Sequence, residues 1–361
     1  MKKIITVLFV LLSIASFAQE ATPLTSEEKL ELLWSQYLDD ELDPIEFYSF
    51  ADDTSFSKAS EIIKIRKIEQ ALGRKNTALS KSIKRVELDK YEAQKVAALW
   101  LYFGTLDGSY SSEELILIKE QKKYLEKLNV FSSLSKIEAE ALFFKNPIVS
   151  QLKLFMFCRK DRNYPCLMIM KDVLDQAVMD GDVLWSVPVL GLSKKGYPYN
   201  MTNGYTPTGV HLINSVMPEA NRQQAFGQFR RLILEFVKPK NTINYMPIES
   251  EKKRWWKRAS VARDIGRKWL RIHGTGWKNT DPNSSYYPHF ATSGCISTRE
   301  LEYDGIVYKD QRLLLDKMME ASDLLPVFTN EVKLQGVLYV VEIDDQKKKV
   351  TLSDLENLGL E

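Results

Sequence analysis

The sequence predicts an α+β protein, with an N-terminal helical domain followed by a β-rich domain. Three observations carry this expectation. Residues 25–147 repeat their apolar side chains at helical spacing, and from Gln151 the spacing changes to period two or to continuous apolar runs. Asn146-Pro147 punctuates the change. The length of 361 residues, 44% hydrophobic and 27% charged, suits two ordinary domains.

Residues 1–18 read as a secretory signal. Lys2 and Lys3 supply the charged start, Ile4–Ile14 the apolar stretch, and Ser16 and Ala18 the small residues before a cleavage point at Gln19. A membrane anchor is the alternative, but the stretch is short for a spanning helix, so no stable membrane span is expected after cleavage. No cysteine follows to carry a lipid. Losing Lys2 and Lys3 lowers Lys+Arg from 50 to 48, equal to the 48 Asp+Glu. A formally neutral mature chain argues against a general nucleic-acid binder.

Residues 19–147 form the expected helical domain. Ser26-Glu27-Glu28 opens a run with Leu30, Leu33, Trp34, Tyr37 and Leu38 on one helical face. Further helices are expected over Ser60–Leu72, Lys81–Phe103, Ser111–Leu128 and Ser135–Phe144. No catalytic constellation occurs here, and a packing or positioning bundle is the plain reading.

Residues 148–345 form the expected β-rich domain. Leu152–Phe157 and Cys166–Met170 read as strands joined by a polar hairpin loop, Arg159–Pro165. Cys158 and Cys166 then face each other, either as a disulfide or as two buried thiols. Val183–Leu190 reads as a strand, and the Gly- and Tyr-rich Ser193–Tyr205 as a mobile loop over a site. Pro207 and Gly209 set a tight turn before a strand over Val210–Val216, in which His211 is structural. Lys252–Arg271 carries nine Lys/Arg and one acid, Asp264, interleaved with Trp255, Trp256 and Trp269. It is either a solvated face or a surface for an acidic peptide, with Arg254, Arg258, Arg263 and Arg267 as candidate carboxylate grips. Gln311–Ala321 reads as an amphipathic helix and Gly336–Ile343 as a buried strand closing the sheet. The tail, 346–361, is charged and expected to be peripheral.

The chemistry concentrates in Ile272–Glu300, which holds Cys295 and two of the chain's three histidines, His273 and His289. Gly294 before the thiol permits close backbone approach to a carbonyl. Ser297-Thr298-Arg299-Glu300 reads as a capping box, so a helix is expected two residues after the thiol, favouring its ionisation. His273 ends the alternating run Trp269–Ile272 and is placed to take the thiol proton. His289 reads as a loop histidine. A zinc site from Cys295, His273 and His289 lacks the usual ligand spacing.

Ile272-His273-Gly274-Thr275, followed by a loop and Thr292-Ser293-Gly294-Cys295-Ile296, resembles the catalytic signature of the L,D-transpeptidases with a YkuD-type domain. Tyr205-Thr206-Pro207-Thr208-Gly209-Val210 resembles the turn that precedes the catalytic strands in that family. The resemblance covers roughly residues 150–343. It departs at Ser293, where the family carries His, and at Ser297, where it carries Arg; Arg299 stands nearby.

The resemblance implies an L,D-transpeptidase-like catalytic domain and an exported enzyme of the periplasm or cell envelope, acting in cell-wall biogenesis and cell shape. Its substrates would be peptidoglycan stem peptides, with no metal and no organic cofactor. Cys295 would be the nucleophile, His273 the base, and Gly294 part of the oxyanion site. Thr292, Ser293, Gly274 and Arg299 would contact substrate. Asp264, Asp281 or a backbone carbonyl would orient His273. The alternatives are a carboxypeptidase or endopeptidase on the same fold, and a non-catalytic wall-binding protein.

Overall fold

Apolar side chains at helical spacing form the first layer of the molecule. In the computed structural model the described residues are 23–38, 41–54, 56, 61, 64–65, 68–69, 72, 90–103, 110–130 and 133–360. The expected signal at 1–18, most of the helix expected over Ser60–Leu72 and the start of that over Lys81–Phe103 lie outside them. The described N-terminal helices are α1 (Ser26–Leu38), α2 (Pro44–Asp53), α3 (Lys90–Phe103), α4 (Ser112–Asn129) and α5 (Lys136–Phe144). Asp43 caps α2 with Pro44 at its first position. Reciprocal capping boxes, Ser111 with Glu114 and Ser135 with Glu138, start α4 and α5. Each satisfies amide groups that a helix start leaves without an intrahelical partner.

The second layer is a large sheet. Its strands are β1 (Leu152–Arg159), β2 (Cys166–Lys171), β5 (Ser186–Val189), β6 (Gly209–Val216), β7 (Leu232–Phe236), β8 (Leu270–His273), β9 (Ile296–Ser297) and β12 (Gly336–Asp344). Two small ribbons, β3 (Met179–Asp180) with β4 (Val183–Leu184) and β10 (Glu300–Tyr303) with β11 (Ile306–Lys309), stand apart. The order is β5-β2-β1-β12-β6-β7-β8-β9. Its two ends meet: Leu190, just after β5, exchanges both backbone hydrogen bonds with Ser297 of β9, at 2.9 and 2.8 Å. The protein is therefore a mixed α+β structure with a nearly closed sheet.

Both faces of this sheet are buried, which explains the continuous apolar runs. On β1, Leu152, Leu154 and Met156 pack into one core with α6 (Asp310–Ala321), while Phe155 and Phe157 pack into another with α5. On β12, Leu338 and Val340 alternate with Val337, Tyr339 and Val341 in the same way. Cys158 and Cys166 are joined as a disulfide across the β1–β2 hairpin, and Cys295 is the free cysteine.

Several expectations need correction. Strand β12 does not close the sheet; it lies inside it, parallel to β1 and antiparallel to β6. The strand expected over Val183–Leu190 is broken into β4 and β5. The tail is not peripheral: Val350, Leu355 and Leu360 are buried, the last two within or beside α7 (Leu352–Glu356). Asp354 of α7 pairs with the fully buried Arg159 at 2.7 Å, so charge anchors the tail. Ser193–Tyr205 is not a free loop. Tyr197, Tyr199 and Met201 are buried among the N-terminal helices, with Tyr197 stacked on Trp34 at 5.7 Å between ring centroids. Such a pair contributes about 0.5–1.5 kcal/mol beyond its area.

Candidate functional site

Two parallel strands position the thiol and the imidazole. Strands β8 and β9 pair parallel, Ile272 opposite Ile296 and His273 opposite Ser297. Parallel neighbours require a long crossover, and residues 274–295 supply it. One step back along the register puts Cys295 beside Arg271. His273 and Arg271, two residues apart, leave the same face of β8. Cys295 and His273 thus come together in the wall of one cleft of about 820 Å³.

His273 is buried, and its Nδ1 is hydrogen-bonded to the Gly274 carbonyl. That bond fixes Nδ1 as the protonated nitrogen, because a carbonyl only accepts. Nε2 is left with the lone pair. Burial lowers the His273 pKa to about 4, the Gly274 bond opposes this, and the Arg271 and Arg231 charges add to it. The half-buried Cys295 thiol donates to the Trp269 carbonyl at 3.9 Å. Burial raises its pKa, while Arg271 and Arg267 pull it down. At neutral pH the resting pair is therefore thiol and neutral imidazole, and the two arginines stabilise the thiolate when it forms.

Gly294 has φ +95, and a Cβ there would overlap the Gly204 carbonyl oxygen. Arg267, 6% exposed, donates to the Tyr199 and Tyr205 carbonyls at 2.5 and 3.1 Å and to that of Gly204 at 2.6 Å. It thereby clamps the 199–205 loop against the glycine. Thr206 Oγ1 donates to the Gly294 carbonyl at 2.9 Å. In a trans peptide C=O and N–H point oppositely, so the Cys295 N–H faces away from Thr206.

Thr292 and Ser293 line the cleft, and Thr292 Oγ1 donates to the Cys295 carbonyl at 2.7 Å. Gly274 is the carbonyl partner of His273. Arg299 turns elsewhere, donating to Asp310 at 2.5 Å and stacking on Tyr308. The helix expected two residues after the thiol does not form. Ser297 Oγ donates to the Phe290 carbonyl, and the Glu300 carboxylate accepts from Gln228 N–H at 2.7 Å, so neither is available as a cap. Ile296–Ser297 and Glu300–Tyr303 instead form β9 and β10. Asp264 is held by Arg263 and Asp281 accepts from Asn283 N–H, so the backbone carbonyl is what orients His273. His289 is buried with Nε2 3.3 Å from the Pro188 carbonyl. Among the described residues no group of three His, Cys, Asp or Glu could hold a metal.

The basic stretch is not a solvated face throughout. Arg258 is buried between Glu342, at 2.8 Å, and the Leu128 carbonyl, Arg254 meets the Lys127 carbonyl, and Arg263 holds Asp264. Of the four arginines expected to grip a substrate, Arg267 alone lines the cleft. Sequence reasoning missed Arg222 and Phe226, which do line it, and Glu31, Ser35, Lys64 and Lys95, by which the helices form one wall. Arg271 was legible as the same-face neighbour of His273. A second cavity of about 530 Å³ adjoins the cleft at Lys194, Phe290 and Ala291.

Comparison with protein-family models, with curated proteins and with solved structures gave no match.

The site sets a pH expectation for stability. His211, His273 and His289 are all lowered to about 4, in each case first by burial. Between pH 4 and 6.5 the unfolded chain binds their protons and the fold does not. Their stabilisation is complete above pH 6.5 and lost as pH falls through that window, at about 3 kcal/mol apiece. Glu300, raised by burial to about 7, and Asp310, also raised by burial, act in the opposite sense. The three imidazoles outweigh them, so the melting temperature should fall by about 5 °C between pH 7 and pH 4.5. A calorimetric scan showing no fall would mean that the imidazoles are not held neutral.

Proposed function

We propose that the protein is an exported cysteine L,D-transpeptidase that cross-links peptidoglycan stem peptides. The observation that carries the reading is that Cys295 and His273 share one cleft, with the imidazole tautomer fixed by Gly274. The disulfide supports an oxidising compartment, as export requires. No helix among the described residues is long and apolar enough to cross a membrane.

His273 Nε2 takes the thiol proton as Cys295 Sγ attacks the carbonyl of the donor's third residue. The N–H groups of Gly294 and Cys295 stabilise the oxyanion. The C–N bond then breaks, the terminal residue leaves as an amine carrying the His273 proton, and a thioester remains. An amine of a neighbouring stem attacks the thioester, loses a proton to His273, and releases the thiol. The adjoining second cavity favours transfer over hydrolysis, because an amine-bearing peptide has its own place to bind.

Incubation with purified stem peptides and mass spectrometry tests this. Cross-linked dimers are expected; trimmed monomers would identify a hydrolase, and unchanged peptide a protein without this activity. His273→Gln should slow Cys295 acylation by a carbapenem about 100-fold or more. Equal acylation rates in variant and wild type would remove His273 as the base.

A further inference from the structure

The cleft is strongly cationic although the expected mature chain is neutral. Seven of its lining residues are Lys or Arg, and one, Glu31, is acidic and pairs with Lys64. Three arginines gather on a single ring. The guanidinium carbons of Arg222, Arg231 and Arg271 lie 5.6, 4.0 and 5.2 Å from the centre of Phe226. Phe226 in turn meets the His273 ring edge-to-face at 5.0 Å.

None of the three arginines pairs with a carboxylate among the described residues. Arg271 donates from Nη1 to the Trp269 carbonyl at 3.1 Å, and its Nε is buried without a partner. Arg231, 5% exposed, donates to Asn221, and its Nε is likewise without a partner. Burial and then the neighbouring Arg271 and Arg222 charges lower the Arg231 pKa. Arg222 has φ +52, a conformation uncommon outside glycine and asparagine. Three crowded like charges with spare donors form a cluster suited to holding an anion.

We propose that Arg222 and Arg271, backed by the buried Arg231, hold the C-terminal carboxylate of the donor residue that leaves. This rests on the transpeptidase reading above. Arg271 stands beside Cys295 in the strand register and interacts with its sulfur. A carboxylate held there lies about one residue from the carbonyl under attack. A grip there would direct the enzyme to chain ends and away from internal bonds; Arg299 is engaged elsewhere, by Asp310.

Two measurements test the proposal. The first compares kcat/KM for donor peptides identical except for a C-terminal acid or amide. Wild type should prefer the acid by about 100-fold. In Arg271→Gln and Arg222→Gln the preference should shrink to a few fold, through KM for the acid, and Arg271→Lys should recover part of it. Wild type using the amide equally well, or variants keeping the full preference, overturns the proposal. So does a preference that follows an acid or amide on the acceptor instead.

The second measurement needs no turnover. Alkylation of Cys295 by iodoacetate and by iodoacetamide is followed by mass spectrometry, with glutathione as reference. The anionic reagent should be favoured about tenfold in wild type, and the advantage should vanish in the double glutamine variant and at high salt. A flat ratio overturns the anion site itself. A raised ratio with no donor consumed keeps the anion site and overturns the peptide reading.

Discussion

Cys295→Ala is expected to bring acyl transfer to background, a loss of at least about 10⁴-fold, while leaving the fold intact. The thiol donates only weakly, to the Trp269 carbonyl at 3.9 Å, and Cys158 and Cys166 are committed to each other. No other sulfur in the chain can replace it. Removing a half-buried sulfur costs little packing, so the melting temperature should stay within about 2 °C of wild type. Intact-protein mass spectrometry after carbapenem treatment gives the readout. Wild type gains the mass of one molecule and the variant gains none. An adduct on the variant, or any sustained turnover, would take Cys295 out of the mechanism.

Gly294→Ala should damage the site and the fold together. The backbone there has φ +95, and the new methyl group would overlap the Gly204 carbonyl oxygen. Gly204 cannot retreat easily, because Arg267 holds its carbonyl at 2.6 Å together with those of Tyr199 and Tyr205. The strain and the displaced clamp should cost about 2–4 kcal/mol in denaturant unfolding. The Thr206–Gly294 bond orients the peptide that carries the Cys295 N–H, so acylation should fall further than alkylation by a small reagent. A variant as stable and as readily acylated as wild type would show that neither the turn nor the clamp matters.

Local patterns were legible and long-range ones were not. The β1 and β2 strands, the facing of Cys158 and Cys166 across them and the Ser111 and Ser135 helix starts all follow from residues close in sequence, whereas the sequence left open whether the two cysteines are joined. The juxtaposition of Cys295 and His273 followed from a motif resemblance, which pairs residues distant in sequence. The failed helix after Cys295 shows the opposite case. Its capping pattern is intact, but Ser297 is engaged by Phe290 and Glu300 by Gln228, partners that no short window contains. Tyr197 and Tyr199 resemble loop residues until they are buried in the core that the N-terminal helices form. The position of β12 inside the sheet depends on β1, which lies nearly two hundred residues earlier. The arginines gathered on Phe226 come from three segments that the fold brings together.

The meeting of Leu190 with Ser297 also restricts how a ligand is recognised. The stretch leading to and from Cys295 is flanked on one side by Ile272–His273, and on the other by Leu190 and Ser193. A peptide arriving there finds no vacant rungs on which to zip itself as an added strand. If the proposed peptide substrate binds there, its main chain would contribute little to docking, and selectivity would fall to end groups and side branches.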